Sequence, residues 1–216
     1  MFKYPINKQM KNTFSKGFTL VELLIVITIL AALTAAVVVV LNPMELIAQG
    51  RDAQRMSDLK TVQEALLILV AQGLVPAPNL CAGAILVGTV TVNGCHAGGI
   101  CMVDPGPGNG PFATQTCSAI HAIRAVDGTG WVDVSLTDTR VGGSPITILP
   151  VDPVNNHQFF YAYRADAAGG TFKLAGRLES LRYRRMMEDD GGSRNSCPTT
   201  YTENTCFYEI GSNLAL

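Results

Sequence analysis

The alternation of apolar and polar positions changes character twice along the chain. From Phe18 to Leu41 almost every position is apolar, with no Gly or Pro and one charge, Glu22. As a helix this stretch of 24 residues extends about 36 Å, enough to cross a hydrocarbon core of about 30 Å. It has no polar face, which marks a membrane span rather than a core helix. Val37 to Val40 is β-branched and Asn42-Pro43 follows at once, so a kink or local break is predicted at Asn42.

The pattern then becomes amphipathic. Met44 to Gln72 predicts a second helix, with Leu46, Ala53, Met56, Leu59, Val62, Leu66 and Leu69 on a core-facing stripe. Arg51, Asp52, Arg55, Asp58, Lys60 and Glu64 are assigned to the remaining, solvated surface, and Gly73, Pro76 and Pro78 signal the helix end. Past that point no helical period survives. Ala84 to Val92, Trp131 to Leu136 and Ile146 to Leu149 read as strands, and "VDPGPGNGP", Val103 to Pro111, as loop. Phe159 to Tyr163 and Thr171 to Leu174 read as a hairpin around Ala168-Gly169-Gly170. The predicted class is α+β: one long N-terminal helix packed on a small antiparallel β-sheet of about three to five strands.

Charge adds direction to this layout. Residues 1–17 carry Lys3, Lys8, Lys11 and Lys16 and no acid, so this flank stays cytoplasmic and everything after Leu41 lies outside. A secretory signal has a shorter apolar core with a small-residue cleavage site after it. Here the small residue, Gly17, precedes a longer core, an order that favours cutting before the helix and retaining it. The isolated Glu22 is the remaining anomaly, because a lone ionised carboxylate in hydrocarbon costs several kcal/mol.

The stretch "KGFTLVELLIVITILAALTAAVVVV", Lys16 to Val40, closely resembles the class III signal of type IV prepilins and type II secretion pseudopilins. The resemblance is strict over residues 16–40 and weaker over 41–72. It implies cleavage between Gly17 and Phe18 by a prepilin peptidase that also N-methylates the new Phe18 amine. It further implies insertion in the inner membrane, delivery to a pilus or secretion assembly platform, and packing of the helix into the core of a helical homo-oligomeric filament. In such proteins the second half of the long helix packs on a small antiparallel sheet. The domain plan that follows is a leader over 1–17, a transmembrane and filament-core helix over 18–41, an amphipathic helix over 42–72, and a disulfide-bearing β-rich domain over 73–216.

Cleavage also gives Glu22 a partner on physical grounds. The new amine at Phe18 lies four residues before Glu22, on the same helical face and within reach of a neighbouring copy's carboxylate. A buried pair left without one member typically costs about 3–5 kcal/mol, so a neighbour that completes it also selects the register. The alternative is an interfacial Glu22 that reaches lipid headgroups near the cytoplasmic end.

Six cysteines, Cys81, Cys95, Cys101, Cys117, Cys197 and Cys206, lie in the part assigned outside the cytoplasm, where an even number favours disulfides. Cys197 with Cys206 would staple the C-terminal loop, leaving the other four to pair among themselves. A zinc site built from Cys95-His96, Cys101, Cys117 and His121 is the rival, although its spacings match no recognised finger. The segment "LPVDPVNNHQFFYAYRADAAGGTFKLAGRLES", Leu149 to Ser180, resembles a segment of pseudopilins, and that resemblance allows Asp152, Asn155 and Asn156 as calcium ligands. Asp-Pro and Asn-Asn are equally ordinary turn chemistry, and His157 beside them reads as a surface residue.

Nothing in the chain forms Gly-x-Ser-x-Gly, His-Glu-x-x-His or a phosphate-binding Gly-x-x-x-x-Gly-Lys, so neither an enzyme nor a resident cofactor beyond the calcium candidate is predicted. Glu188, Asp189 and Asp190 beside Arg182, Arg184 and Arg185 read as a solvated face. Without residues 1–17 the chain has 12 Lys and Arg against 17 Asp and Glu, a balance that disfavours a broad nucleic-acid surface. A local stretch from Arg177 to Arg185 is the place where DNA contact remains open. The function expected is a filament subunit of a type IV pilus. Its alternatives are a secretion pseudopilin and a membrane-tethered binding or enzymatic domain that never polymerises.

Overall fold

The computed structural model describes residues 17–72, 99–106, 110–112, 117, 119–137, 142–166, 171–197 and 206–216. Residues 1–16 of the predicted leader, the strand over 84–92, the helix-end signal at 73–78 and the turn at 168–170 lie outside the described residues. Two units divide between Pro43 and Met44. The first is built on α1, Leu20–Leu41, whose residues 20–38 are all solvent-exposed within the chain. At its end Asn42 takes a left-handed conformation with φ 41°, and α2, Pro43–Ala71, starts at the next residue. Asn tolerates that conformation better than most residues, and Pro at a first helical position gives up an N–H that would be unpaired anyway. The break predicted at Asn42 is thus present, and for the reason its dipeptide implies.

In the second unit α2 lies against a five-stranded sheet of order β2-β1-β3-β4-β5. The strands are β1, Ile100–Cys101; β2, Ala119–Ile120; β3, Ala162–Asp166; β4, Thr171–Gly176; and β5, Tyr208–Gly211, with a short helix α3, Arg184–Glu188, before β5. All pairings are antiparallel except that of the two-residue edge strand β2 with β1. Hairpin β3–β4 pairs Ala162 with Ala175 and Asp166 with Thr171. Its first strand starts later than the predicted Phe159, because Asn156 Oδ1 accepts the Gln158 and Phe159 amides and holds that segment in a turn.

The sequence patterns fail as strands at two other places. Trp131, Val132, Val134 and Leu136 are buried, but their backbones bond to loop carbonyls, Trp131 to Ile123 and Leu136 to Val126. Burial in a well-packed loop produces the same apolar pattern as a strand. Gly130 makes this packing possible, since a Cβ there would meet the Ala125 carbonyl at 2.2 Å. Ile146 to Leu149 likewise forms bends, with the Leu149 amide bonded to Arg124.

The largest departure is on α2. Leu59, Val62, Leu66 and Leu69 enter the core as the periodicity predicts, joined by Ala65. One and two turns earlier the buried face is charged: Asp52 and Arg55 are fully buried, whereas Leu46 is exposed and Ala53 faces solvent. The Arg55 guanidinium donates Nε to Asp152 Oδ2 at 2.7 Å and Nη2 to Asp152 Oδ1 at 3.0 Å. Its Nη1 donates to Asp52 Oδ1 at 2.8 Å and to Glu179 Oε2 at 3.2 Å, and the guanidinium carbon sits 4.6 Å from the Phe159 ring centroid. Asp52 also accepts the Glu179 and Ser180 amides at 2.8 and 2.7 Å. Arg51 donates both Nε and Nη2 to Glu179. Burial opposes the charge on Arg55, but these carboxylates more than offset it and its pKa moves above the ordinary value.

A second buried pair stands behind the sheet. Lys173 Nζ donates to Glu209 Oε1 at 2.8 Å, and Glu209 Oε2 accepts the Ser193 and Arg194 amides at 2.6 and 3.1 Å. Burial pushes the Lys173 pKa down, and the carboxylate keeps the residue bonded in place.

Arg55→Met should destabilise the second unit by about 3–5 kcal/mol, because Asp52 and Asp152 would stay buried without a counter-charge. Arg55→Met with Asp152→Leu should recover part of that loss in thermal unfolding of the full chain in detergent. A single variant as stable as the parent would contradict the assignment. Glu179 supplies a pH signature, since the hydrogen bond from Arg51 holds its carboxyl below the usual range. The stabilisation is complete above the ordinary Glu value of about 4.3 and is lost as pH falls through the lowered folded value. Glu179→Gln should therefore cost stability at neutral pH, and the gap from the parent should close below about pH 4.

Candidate processing and assembly site

The site begins with four residues before and inside the first turn of α1. Thr19 is the N-cap, with extended φ and ψ of −78° and 151°. Its Oγ1 accepts the Glu22 amide at 3.2 Å, and Glu22 Oε2 accepts the Thr19 amide and hydroxyl, each at 2.9 Å. This reciprocal capping box satisfies two orphan donors of a helix start. The spacing Thr-x-x-Glu at 19–22 was the available signal for it. Glu22 thus has a role inside its own chain as well as the one inferred between chains, and the cap engages only one of its two carboxylate oxygens by these bonds.

Gly17 and Phe18 precede the cap and are exposed, Phe18 by 83%. A Cβ added at Gly17 would meet nothing within 4 Å. Among the described residues, no packing at 17 demands a small side chain. Within α1 the two hydroxyl side chains bond back along the helix, Thr28 to the Ile25 carbonyl and Thr34 to those of Leu30 and Ala31. The helix consequently presents an apolar surface in which its side-chain hydroxyls are already paired, as a hydrocarbon environment requires. Over Leu20–Val38 it is long and apolar enough to cross a membrane.

The other predicted site residues go different ways. Asp152, buried, binds Arg55 with both oxygens and accepts the Val154 and Asn155 amides through Oδ1. Asn155 lies in the left-handed region at φ 47°, and Asn156 caps the next turn. Both Asp152 oxygens accept from the Arg55 guanidinium, and the three residues form turns and an anchor for α2. Cys101 is bonded to Cys117 and Cys197 to Cys206. Cys101 and Cys117 are therefore not thiolates free to hold zinc; Cys81, Cys95 and His96 lie outside the described residues. His121 Nδ1 lies 3.2 Å from the Gly130 carbonyl, and exposed His157 has Nδ1 2.6 Å from that of Asp104.

Of the residues read as a solvated face, Arg182, Arg185, Glu188 and Asp189 are exposed, whereas Arg184 and Asp190 are partly buried; Arg177 begins the stretch left open for DNA contact. Arg177 is buried with its guanidinium 4.6 Å from the Phe207 centroid, and Asp190 accepts the Glu209 and Gly192 amides at 2.7 and 2.8 Å. Burial raises the Asp190 pKa.

Residues 13–38 match the family model of the prokaryotic N-terminal methylation motif. The chain thus carries the class III signal of type IV prepilins and pseudopilins, placed over the residues that form the cap and the apolar helix. No solved structure matches the chain.

Thr19→Ala should remove the hydroxyl half of the capping box, leaving the residue-19 amide still able to donate to Glu22, and destabilise the helix start by about 1 kcal/mol. Amide exchange of the full chain in detergent should then quicken through residues 20–23 and stay unchanged in β4. Equal exchange in the two proteins would mean that the cap carries no weight.

Proposed function

We propose that this protein is a prepilin, cleaved between Gly17 and Phe18 and built through α1 into a helical filament of identical subunits. The single observation that carries this reading is the methylation motif coinciding with a helix whose residues 20–38 are all exposed, with no cover from the described residues. An all-apolar surface of that length needs lipid before assembly and copies of itself after it. The role is structural rather than enzymatic, and the filament is a type IV pilus exposed at the cell surface. The subunit waits in the inner membrane with residues 1–16 in the cytoplasm and the sheet domain outside it, consistent with the charge of the flank.

In this scheme cleavage turns a neutral peptide group into an amine, and the prepilin peptidase methylates it. Glu22 holds its own Thr19 amide through Oε2 and meets the Phe18 amine of the adjacent subunit through the remaining acceptor capacity of the carboxylate. Only a chain that has been cut carries the amine, so processing precedes assembly for an electrostatic reason.

The mature protein should begin at methylated Phe18, and replacing Gly17 by Leu should leave an uncut but folded precursor. Glu22→Gln and Glu22→Ala should both insert normally and lower the ratio of sheared filament to membrane-held subunit by at least about tenfold, in line with the loss of one buried counter-charge. Normal filament yield from both would remove the intersubunit pair from the scheme. Cleaved protein confined to the periplasm would instead favour a secretion pseudopilin, and an uncut protein that never leaves the membrane would favour a tethered domain.

A further inference from the structure

The sheet domain carries a mixed arginine and apolar surface that the filament scheme does not use. Between β4 and α3 the chain runs back along the first turns of α2 and is tied there by carboxylates. Glu45 accepts the Leu181 and Arg182 amides, both at 3.3 Å, while Asp52 accepts those of Glu179 and Ser180. With its backbone held inward, this segment turns Leu181 outward at 67% exposure, together with exposed Arg182, Arg185 and Met186. Met187 is buried and fixes which side of α3 faces the core. Met44, Leu46 and Ile47 at the start of α2 are also exposed.

The position of this surface along the chain matters as much as its composition. Glu45 follows the last residue of the span, Val38, by seven residues. Seven residues cover about 10 Å as helix and at most about 25 Å when fully extended. The backbone tied to Glu45 is therefore kept near the bilayer surface whatever the angle at Asn42. Exposed Leu and Met beside arginines suit the interfacial zone, where apolar side chains enter the headgroup boundary and guanidinium groups bind phosphate. The exposed acids nearby, Glu188 and Asp189, close α3 at its far end.

We infer that Leu181, Arg182, Arg185 and Met186 form a docking surface for the anionic phospholipid headgroups of the membrane in which the subunit waits. This rests on the membrane-spanning role given to α1, though not on filament assembly. Docking holds the sheet domain down on the outer face of that membrane, and entry into a filament must release it.

The test uses the full chain in nanodiscs of phosphatidylcholine alone and of equal parts phosphatidylcholine and phosphatidylglycerol, read by amide exchange. Residues 181–187 should exchange at least about fivefold more slowly in the anionic discs, and raised salt should erase the difference. Arg182→Glu with Arg185→Glu should abolish it as well, with exchange in β4 unchanged as the check on folding. Slow exchange in α1 in both discs reports the span by itself; if α1 is protected and 181–187 behave alike in both lipids, this inference falls while the span stands. Protection that rises with protein-to-lipid ratio in either lipid would assign the surface to a second copy, and protection by added duplex DNA without anionic lipid would assign it to nucleic acid; either result overturns the proposal.

Discussion

The Arg55 guanidinium is the fixed point of the sheet domain. A charge with no solvent access is tolerable only when its donors are met and its counter-charges are themselves bonded, and here Asp152, Asp52 and Glu179 do both. Three separate parts of the chain end on this one group. They are the first turns of α2, the turn that starts at Asp152, and the segment after β4. Because the carboxylates also hold backbone amides, the two loops owe their shape to the pairing as much as their position. The apolar packing of Leu59, Val62, Leu66 and Leu69 follows along the same helix and supplies burial without direction.

Away from that anchor the domain is short of regular structure. Strands β1 and β2, at one side of the sheet, have two residues each, so ladder bonds there are few. Disulfides take over part of the task where strands are shortest: Cys101 in β1 is joined to Cys117 just before β2, and Cys206 just before β5 is joined to Cys197. Trp131 anchors the long loop by donating Nε1 to the Pro150 carbonyl at 3.0 Å and packing 5.8 Å from Tyr161. Tyr161 in turn donates its hydroxyl to Asp58 on α2, at 2.9 Å.

The first unit obeys the opposite rule. Its described residues 17–38 are all exposed, Thr28 and Thr34 pair their hydroxyls with the helix backbone, and its one acid sits at the end where the cap lies. Within the chain Glu22 orders the helix start, and in the proposed filament the same carboxylate has acceptor sites left over to meet a neighbour's amine. In that proposal a charge at one end of an apolar rod would set the register between neighbouring rods, which uniform apolar packing cannot do.

Local chemistry made much of this legible. The apolar run, the break at Asn42-Pro43 and the pairing of Cys197 with Cys206 each arise within a few residues of chain, where sterics, periodicity or a short loop decides the outcome, whereas the Thr19–Glu22 capping box, equally local, went unread. The class α+β and the β3–β4 hairpin followed from the same short-range signals. What lay beyond them depended on partners distant in sequence. Asp52 and Arg55 sit at helical positions that read as solvated, and only Asp152 and Glu179, about a hundred residues away, make their burial affordable. Lys173 and Glu209 hid in the same way on two strands, and Asp152 stayed open between turn former and calcium candidate because a carboxylate in a turn looks alike whatever its counter-charge. The buried loop at Trp131 to Leu136 imitated a strand, since periodicity records which side chains are buried and not where the backbone finds its hydrogen bonds. Sequence pattern thus determined the two long helices, the break between them and the β3–β4 hairpin, where interactions are local. Tertiary structure alone decided which charges were interior, because the cost of burying a charge is set by whatever the rest of the fold brings to meet it.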